Sequence, residues 1–319
     1  MKQKISVSKS FLESSFDQLI VGTHSGIFHS DDVIAVALFC INNHDNAIHV
    51  VRSRDFKELS KCSLLVDVGA GKYAHHQIGG NGCRDNGIPY ASAGLYWKYH
   101  GKEIVEKLAI NILKITLSKS EIYSIFSSLD YSIIQEIDKS DNGIVASQTP
   151  FDYIANYLPN WRDLNKDENI YEITFKSVLD VTVSILEKLI LTEIDKITSF
   201  NYICALYKKD TTSKIIEIPA QSFPWLEPIV KLNAEYNAHI DFVIFPYPLG
   251  GWAAQAVPPS LEEKFKQRKK FPLSWSGQTV NLAQISGIDD AIFCHNGLFF
   301  VRANSRESVI KMCNIASST

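Results

Sequence analysis

The chain has 319 residues, 45% of them hydrophobic, 21% charged and 11% aromatic, which excludes a disordered or fibrous protein. Lys and Arg total 32 against 35 for Asp and Glu, a formal charge of −3. No bulk positive field would draw it onto nucleic acid or an anionic membrane, so any polyanion must be gripped by a local patch. At about 100–200 residues per domain the length implies two domains or one large one. The six cysteines lie far apart and never form C-x-x-C, which argues against a zinc ribbon and fits thiols in a reducing compartment.

From the amino terminus, Met1 to Ser10 lacks the apolar core of a secretory signal. The most apolar early run, Val33 to Ile41, falls short of the roughly 18 residues a membrane span needs. A soluble, cytoplasmic protein is expected. Leu19 to Thr23 reads as a strand, and Ser30-Asp31-Asp32 places capping side chains before the apolar run, so a helix starts there. That helix is apolar on nearly every face and should be buried against a sheet. Ala47 to Val51 reads as a second strand, Asp55 to Ser60 as a short helix and Ser63 to Val68 as a third strand. Such alternation predicts βαβ units and a mostly parallel sheet, an α/β fold. Ala91 to about Ile137 and Tyr171 to about Thr198 are helical in pattern, with an aromatic connecting loop over Pro150 to Trp161.

Beyond Ser199 the character changes. Asn201 to Leu206, Lys214 to Ile218, Ile240 to Phe245 and Trp252 to Val257 read as strands, and Trp225 to Tyr236 as a helix. Ala291 to His295 and Leu298 to Arg302 form a hairpin across Asn296-Gly297, and Ser305 to Ile315 closes the chain as a helix. The expected organisation is a metal-binding catalytic lobe over 1–200 and a smaller α+β substrate-binding lobe over 201–319.

Seven of the nine histidines fall within the first 100 residues. Thr23-His24-Ser-Gly-Ile-Phe-His29-Ser-Asp31-Asp32 follows one predicted strand, Asp67 ends another, and Ala74-His75-His76 comes shortly after. Asp138-Lys-Ser-Asp141-Asn-Gly143 ends a helical stretch. In a parallel sheet the carboxyl ends of strands gather on one edge, where ligands bind, so these groups can converge. Imidazoles and carboxylates without thiolate suit Mn²⁺, Fe²⁺, Zn²⁺ or Mg²⁺. Two ions about 3.5–4 Å apart sharing one Asp would suit in-line attack on phosphorus. Taken singly, Asp31 or Asp32 can be a helix cap and Asp141-Asn142-Gly143 a plain turn.

His24-x4-His29-x-Asp31, Asp67, the His75-His76 pair and Asp138 are similar in order and spacing to the four motifs of the DHH phosphoesterase superfamily. That superfamily includes RecJ-type exonucleases, oligoribonucleases and manganese pyrophosphatases. Within it, Gly22 to Asp31, Asn86-Gly-Ile-Pro-Tyr-Ala-Ser-Ala-Gly-Leu95, Asp141-Asn-Gly143, Trp252-Ala-Ala-Gln-Ala-Val-Pro258 and Ser286-Gly-Ile288 resemble the melanocyte-proliferating-gene protein family. Its members are often labelled metal-dependent protein hydrolases. The likeness runs from about residue 19 to about 310.

The resemblance implies a DHH-type α/β lobe, a divalent metal centre with manganese first, and phosphodiester hydrolysis, as a 3′–5′ exonuclease on RNA or single-stranded nucleic acid. Carried over, His24, His29 and Asp67 would hold one ion, and Asp31, Asp67, His75 and Asp138 the other, with Asp141 open as the fourth-motif ligand in place of Asp138. Asp67 is also counted as catalytic, and His76 would face the scissile phosphate as donor or acid. The first position of Asp-His-His is Ala74 here. The missing carboxylate would orient a ligand or catalytic His, and such partners can be worth about 10–100-fold. The Gly-rich turn near the family's end is replaced by Leu298 to Asn304.

Lys264-Phe-Lys-Gln-Arg-Lys-Lys270 is the densest basic run, followed by Phe271 to Trp275. Such a mixture can hold the phosphates and bases of a single strand, or be a solvated surface. With the resemblance, Arg268 and Trp275, and more weakly His295 and Arg302, are the expected substrate contacts. The alternatives are a hydrolase of short oligonucleotides or small phosphorylated molecules, and a catalytically weakened metal- or nucleotide-binding homologue.

Overall fold

Two separate β-sheets organise the computed structural model, in which residues 4–11, 18–145, 149–164 and 167–318 are described. Met1 to Gln3, part of the stretch read for a signal, lie outside them. The chain divides into two compact units between Ile194 and Asp195.

In the first unit, β1 (Ile5–Ser8), β2 (Leu19–Thr23), β3 (Ile48–Arg52) and β4 (Leu64–Leu65) form a wholly parallel sheet in the order β1-β3-β2-β4. β3 is buried along its whole length, the signature of a strand covered on both faces. Helix α1 (Ser30–Asn42) is buried from Asp31 to Asn42, as its all-round apolar sequence predicts. The short helix α2 (Phe56–Leu59) follows β3, capped by Asp55. Helix α3 (Ser92–Leu108) packs along α1. Helix α4 (Lys119–Leu129) and helix α5 (Gln135–Asp141) are joined by a π-helical turn, Asp130–Ile134.

Two local features depart from expectation. The strand expected over Ser63–Val68 is only two residues long, because Asp67 turns into the left-handed region at φ 53° and Val66 bridges Tyr73 instead. The edge strand β1 is outside the expected elements: its four residues alternate Ile5 and Val7 with Ser6 and Ser8, too short an apolar pattern to stand out, and the two serines are tied to the ring of His49 on β3.

Helix α6 (Ile170–Lys209) is 40 residues long and absorbs Asn201–Leu206, which had read as a strand. No Gly or Pro interrupts it, and its buried Leu186, Ile190, Ile194, Ser199 and Ile203 recur at helical spacing. A short apolar run cannot distinguish strand from helix alone.

The second unit carries β5 (Ile215–Glu217), β6 (Phe242–Pro246), β7 (Trp252–Ala256), β8 (Ala291–Cys294) and β9 (Phe300–Ala303), in the order β5-β6-β7-β9-β8. β5 and β6 are parallel and the other pairs antiparallel. Along β6, Phe242 and Ile244 join a core with α8 (Leu282–Ser286) and α9 (Arg306–Ser318), whereas Val243 and Phe245 join one with α7 (Leu226–Glu235). That is period-2 alternation in a sheet covered on both faces. The hairpin at Asn296-Gly297 is present, but its left-handed residue is Leu298, at φ 59°. Among the described residues no helix is long and apolar enough to cross a membrane.

Candidate metal centre

Four chain segments of the first unit meet beyond the ends of β2 and β4. His24 directly follows β2. Three residues bind each other at the start of α1: the Asp32 Oδ1 accepts the backbone N–H of His29 at 2.9 Å and of Val33 at 2.7 Å, a capping arrangement that fixes the carboxylate. Its Oδ2 then lies 3.2 Å from His24 Nε2. Asp67 approaches from the end of β4, its left-handed backbone tolerated by a short polar side chain. Its Oδ2 is 3.2 Å from the same His24 nitrogen. Its Oδ1 accepts the Ser92 hydroxyl at 2.9 Å and lies 3.0 Å from His76 Nε2. His75 Nδ1 is 3.6 Å from Asp67 Oδ1 and 3.7 Å from Asp31 Oδ2, and its Nε2 is 2.9 Å from Asp141 Oδ2.

Among the described residues, three sets of side chains bring their ligand atoms within 4.8 Å of one another: His24 with Asp32 and Asp67, His29 with Asp31 and Asp141, and Asp67 with His75 and His76. His24, Asp31, Asp32 and Asp67 are all buried, His75 and Asp141 are half-buried, and His29 and His76 are exposed. Asp67 alone belongs to two sets.

The electrostatics are those of a pocket short of positive charge. Burial pushes the Asp31 carboxyl well above the usual carboxylate range, and Asp67, Asp141 and Asp32 push it further. Burial alone would lower the His24 imidazolium, but the carboxylates of Asp32 and Asp67 outweigh it and raise it to about 10. Burial likewise opposes the proton on His75, and Asp141 and Asp67 overcome it. Among the described residues, Asp31 Oδ1, Asp32 Oδ2 and Asp67 Oδ2 are buried with no hydrogen-bond partner; the contacts of Asp32 and Asp67 with His24 are close but not aligned as hydrogen bonds. Unpartnered buried carboxylate oxygens are costly unless a cation compensates them. Ligand atoms sharing an octahedral ion at bonds of about 2.1 Å lie about 3 Å apart, close to the 3.2 Å seen here. The nitrogen and oxygen donors fit a hard to borderline divalent ion.

Asp138, expected as a ligand, is in none of the three sets. Arg84 donates to its Oδ2 at 2.6 Å and the backbone N–H of Gly94 to its Oδ1 at 3.0 Å, while Arg84 also grips Asp130. Asp141, one turn further along α5, reaches His29, Asp31 and His75 in its place. His29, expected beside His24 and Asp67, groups with Asp31 and Asp141. Asp32 and Ser92 were not among the expected site residues. The signal for Asp32 was a doublet of acids where one cap suffices; a lone serine at a helix start carries no such signal. Ala74 is buried, and Asn81 Nδ2 holds its carbonyl at 3.0 Å together with those of Gly71 and Lys72.

The loop between His24 and His29 is clamped by Arg52, fully buried at the end of β3. Its guanidinium donates to the Gly26 carbonyl at 2.8 Å and lies over the rings of Phe28 and Phe175, at 5.4 and 4.4 Å from their centroids.

The expected substrate contacts all lie in the second unit. Arg268 is half-buried and its Nε donates to Asp241 at 3.3 Å. Trp275 does not offer its ring as a stacking platform: it is 2% exposed, packed near Phe271 in the hydrophobic core, where a large apolar ring gains most from burial. His295 Nδ1 accepts the Gly297 N–H at 2.9 Å. Arg302 lies 3.8 Å from the Tyr247 ring centroid and donates to the Gly250 carbonyl.

Comparison with known proteins gives a consistent picture. The chain is 28% identical over 323 residues to the mouse protein named MYG1 exonuclease, covering 92% of this chain and 83% of that one. It is also 28% identical over 308 residues to the MYG1 protein of Chlamydia trachomatis, covering 92% of this chain and 95% of the relative. A crystal structure of RecJ in complex with Mn²⁺ from Thermus thermophilus aligns with 95% of this chain at 12% identity and a TM-score of 0.25, a likeness too slight to bear on fold or function. This chain spans about half of it, 52%. The MYG1_exonuc model, described as uncharacterised protein family UPF0160, matches residues 20–316, and the chain belongs to that family.

Proposed function

We propose that the chain is a metal-dependent nuclease that hydrolyses phosphodiester bonds, acting 3′–5′ on RNA or another single strand, with Mn²⁺ as its first-choice ion and the cytoplasm as its compartment. The observation that carries this reading is the gathering of Asp31, Asp32 and Asp67, each with a buried oxygen that accepts no hydrogen bond, around the single imidazole of His24. The name of the mouse relative, an exonuclease, and the resemblance to DHH phosphoesterases support it.

His24, Asp32 and Asp67 would hold one ion, and His29, Asp31 and Asp141 a second, with His75 beside both. A bound divalent ion would supply charge for the phosphoryl oxygens and acidify a water. Ser92 fixes the Asp67 carboxylate by donating to it. The exposed His76, held by Asp67 at 3.0 Å, would carry a proton to or from the substrate. The second unit would bind the strand.

Elemental analysis of purified protein, alongside an assay on RNA labelled at either end with Mn²⁺ added, tests the reading. Bound metal with mononucleotides released from the 3′ end is expected. A metal-free protein that leaves both labelled strands intact would overturn it. Ala74 favours a second reading, a homologue with weakened catalysis, because the buried position carries no carboxylate. If that reading holds, Ala74→Asp raises the rate or the metal content.

A further inference from the structure

Apart from Arg268, an expected substrate contact, the residues lining a cavity of about 780 Å³ in the second unit have no role above. Its walls include Thr211 and Lys214 from the turn after α6, His239 and Asp241 from the loop before β6, and Arg268 and Lys269 from the basic run. His239 is held in the left-handed region, at φ 55°, and the basic segment is pinned by the Arg268 N–H donating to the Val257 carbonyl at 2.8 Å. The lining is therefore built by three segments.

The charge of this lining opposes that of the chain. Lys214, Arg268 and Lys269 face a single carboxylate, Asp241, although the whole molecule carries −3. Asp241 is buried and, among the described residues, its carboxylate engages only the Nε of Arg268. The two terminal guanidinium nitrogens, both ammonium groups and the His239 ring have no hydrogen bond or ion pair within the protein, among the described residues. Lys269 is half-exposed and Lys214 exposed. Two free ammoniums and a guanidinium edge around an open volume match the oxygens of a phosphate.

We propose that this cavity binds a phosphate group, with Lys214, Arg268 and Lys269 as its charged contacts. The nuclease reading makes a strand's phosphodiester the expected source, and the inference rests on that reading only to this extent. A nucleoside monophosphate presents the same chemistry.

The test uses the full chain in EDTA, so that it reads binding whether or not the protein hydrolyses anything. Binding of a short fluorescent single-stranded oligonucleotide is titrated across salt concentrations, and binding of AMP is followed by calorimetry. For Lys214→Gln/Lys269→Gln, oligonucleotide affinity is expected to fall at least about tenfold, and the slope of log K against log salt to shrink by about 1.4 for two lost phosphate contacts. Lys214→Arg/Lys269→Arg should retain both. Loss of AMP binding with oligonucleotide binding intact would identify the monoester as the ligand. Unchanged binding of both probes in the Gln double variant would overturn the proposal. Because no cleavage is measured, its failure leaves the nuclease assay untouched, and a failed nuclease assay leaves this result readable.

Discussion

The same donor types occur twice on one edge of the first unit, in different solvent. His24, Asp32 and Asp67 are 4%, 0% and 2% exposed, whereas His29 is exposed and Asp141 half-buried around the fully buried Asp31. The first set is fixed by a strand end, a helix cap and a serine hydroxyl. The second depends on a loop histidine and the last residue of α5. The contrast implies that folding has already ordered the inner set for a cation, while the outer set keeps a face open to solvent and substrate. Burial rather than ligand identity separates them.

The comparison breaks most completely at Asp67, the member of two sets. Asp67→Ala is expected to abolish both bound metal and hydrolysis, read by elemental analysis and a cleavage assay; retained cleavage would contradict the scheme. Asp32→Asn keeps the amide-accepting cap but removes a charge, and should empty the inner set, whereas Asp141→Asn should only raise the Mn²⁺ concentration required. Activity titrated against Mn²⁺ for the two variants separates the sets, and identical curves would erase the distinction.

pH sharpens the contrast. His24 holds a proton up to about 10 because Asp32 and Asp67 stabilise it against burial, and an ion can replace that proton only when it leaves. Apparent affinity at the inner set should therefore rise about tenfold per pH unit, or about 100-fold from about pH 6.5 to 8.5, by metal titration. In the metal-free protein the sign reverses. The raised value makes the ion pair stabilising below the free imidazole's 6.5, and this contribution is lost as pH rises through about 10. Thermal melts in EDTA across that window should show the decline.

Smaller still, Ser92→Ala removes the donor to Asp67 and should cost about 10–100-fold in metal affinity or rate. Asp138→Ala should leave metal content unchanged while lowering stability by about 1–3 kcal/mol, since the buried Gly94 N–H loses its acceptor and Arg84 keeps only Asp130. A fall in metal per folded chain would restore Asp138 as a ligand.

Much of this edge was readable in the sequence because strand ends and capping residues are local signals. His24, Asp31, Asp67 and His75 stand where alternation of strand and helix would bring them. Asp31 or Asp32 reads as a cap in the sequence. The N-cap is His29, and Asp32 closes its capping box as the third helical residue. The second oxygen of Asp32 faces the pocket, and no local pattern divides the two oxygens of one carboxylate between those tasks. The choice between Asp138 and Asp141 was not legible, since it is made by Arg84, 54 residues away from Asp138. The carboxyl half of α6 and the Trp275 ring were misjudged for a related reason. An apolar run or an aromatic beside basic residues acquires its role only from what packs against it.

Gly94 contributes no side chain to any of this, yet it shapes the outcome. A β-carbon there would fall 1.8 Å from Asp138 Oδ2, so Gly94→Ala must displace a buried carboxylate that Arg84 and the Gly94 N–H hold in place. A screen for loss-of-function alleles would thus return this position through lost stability, alongside the acids and imidazoles, and inheritance alone would not tell a methyl group's worth of missing space from a missing donor.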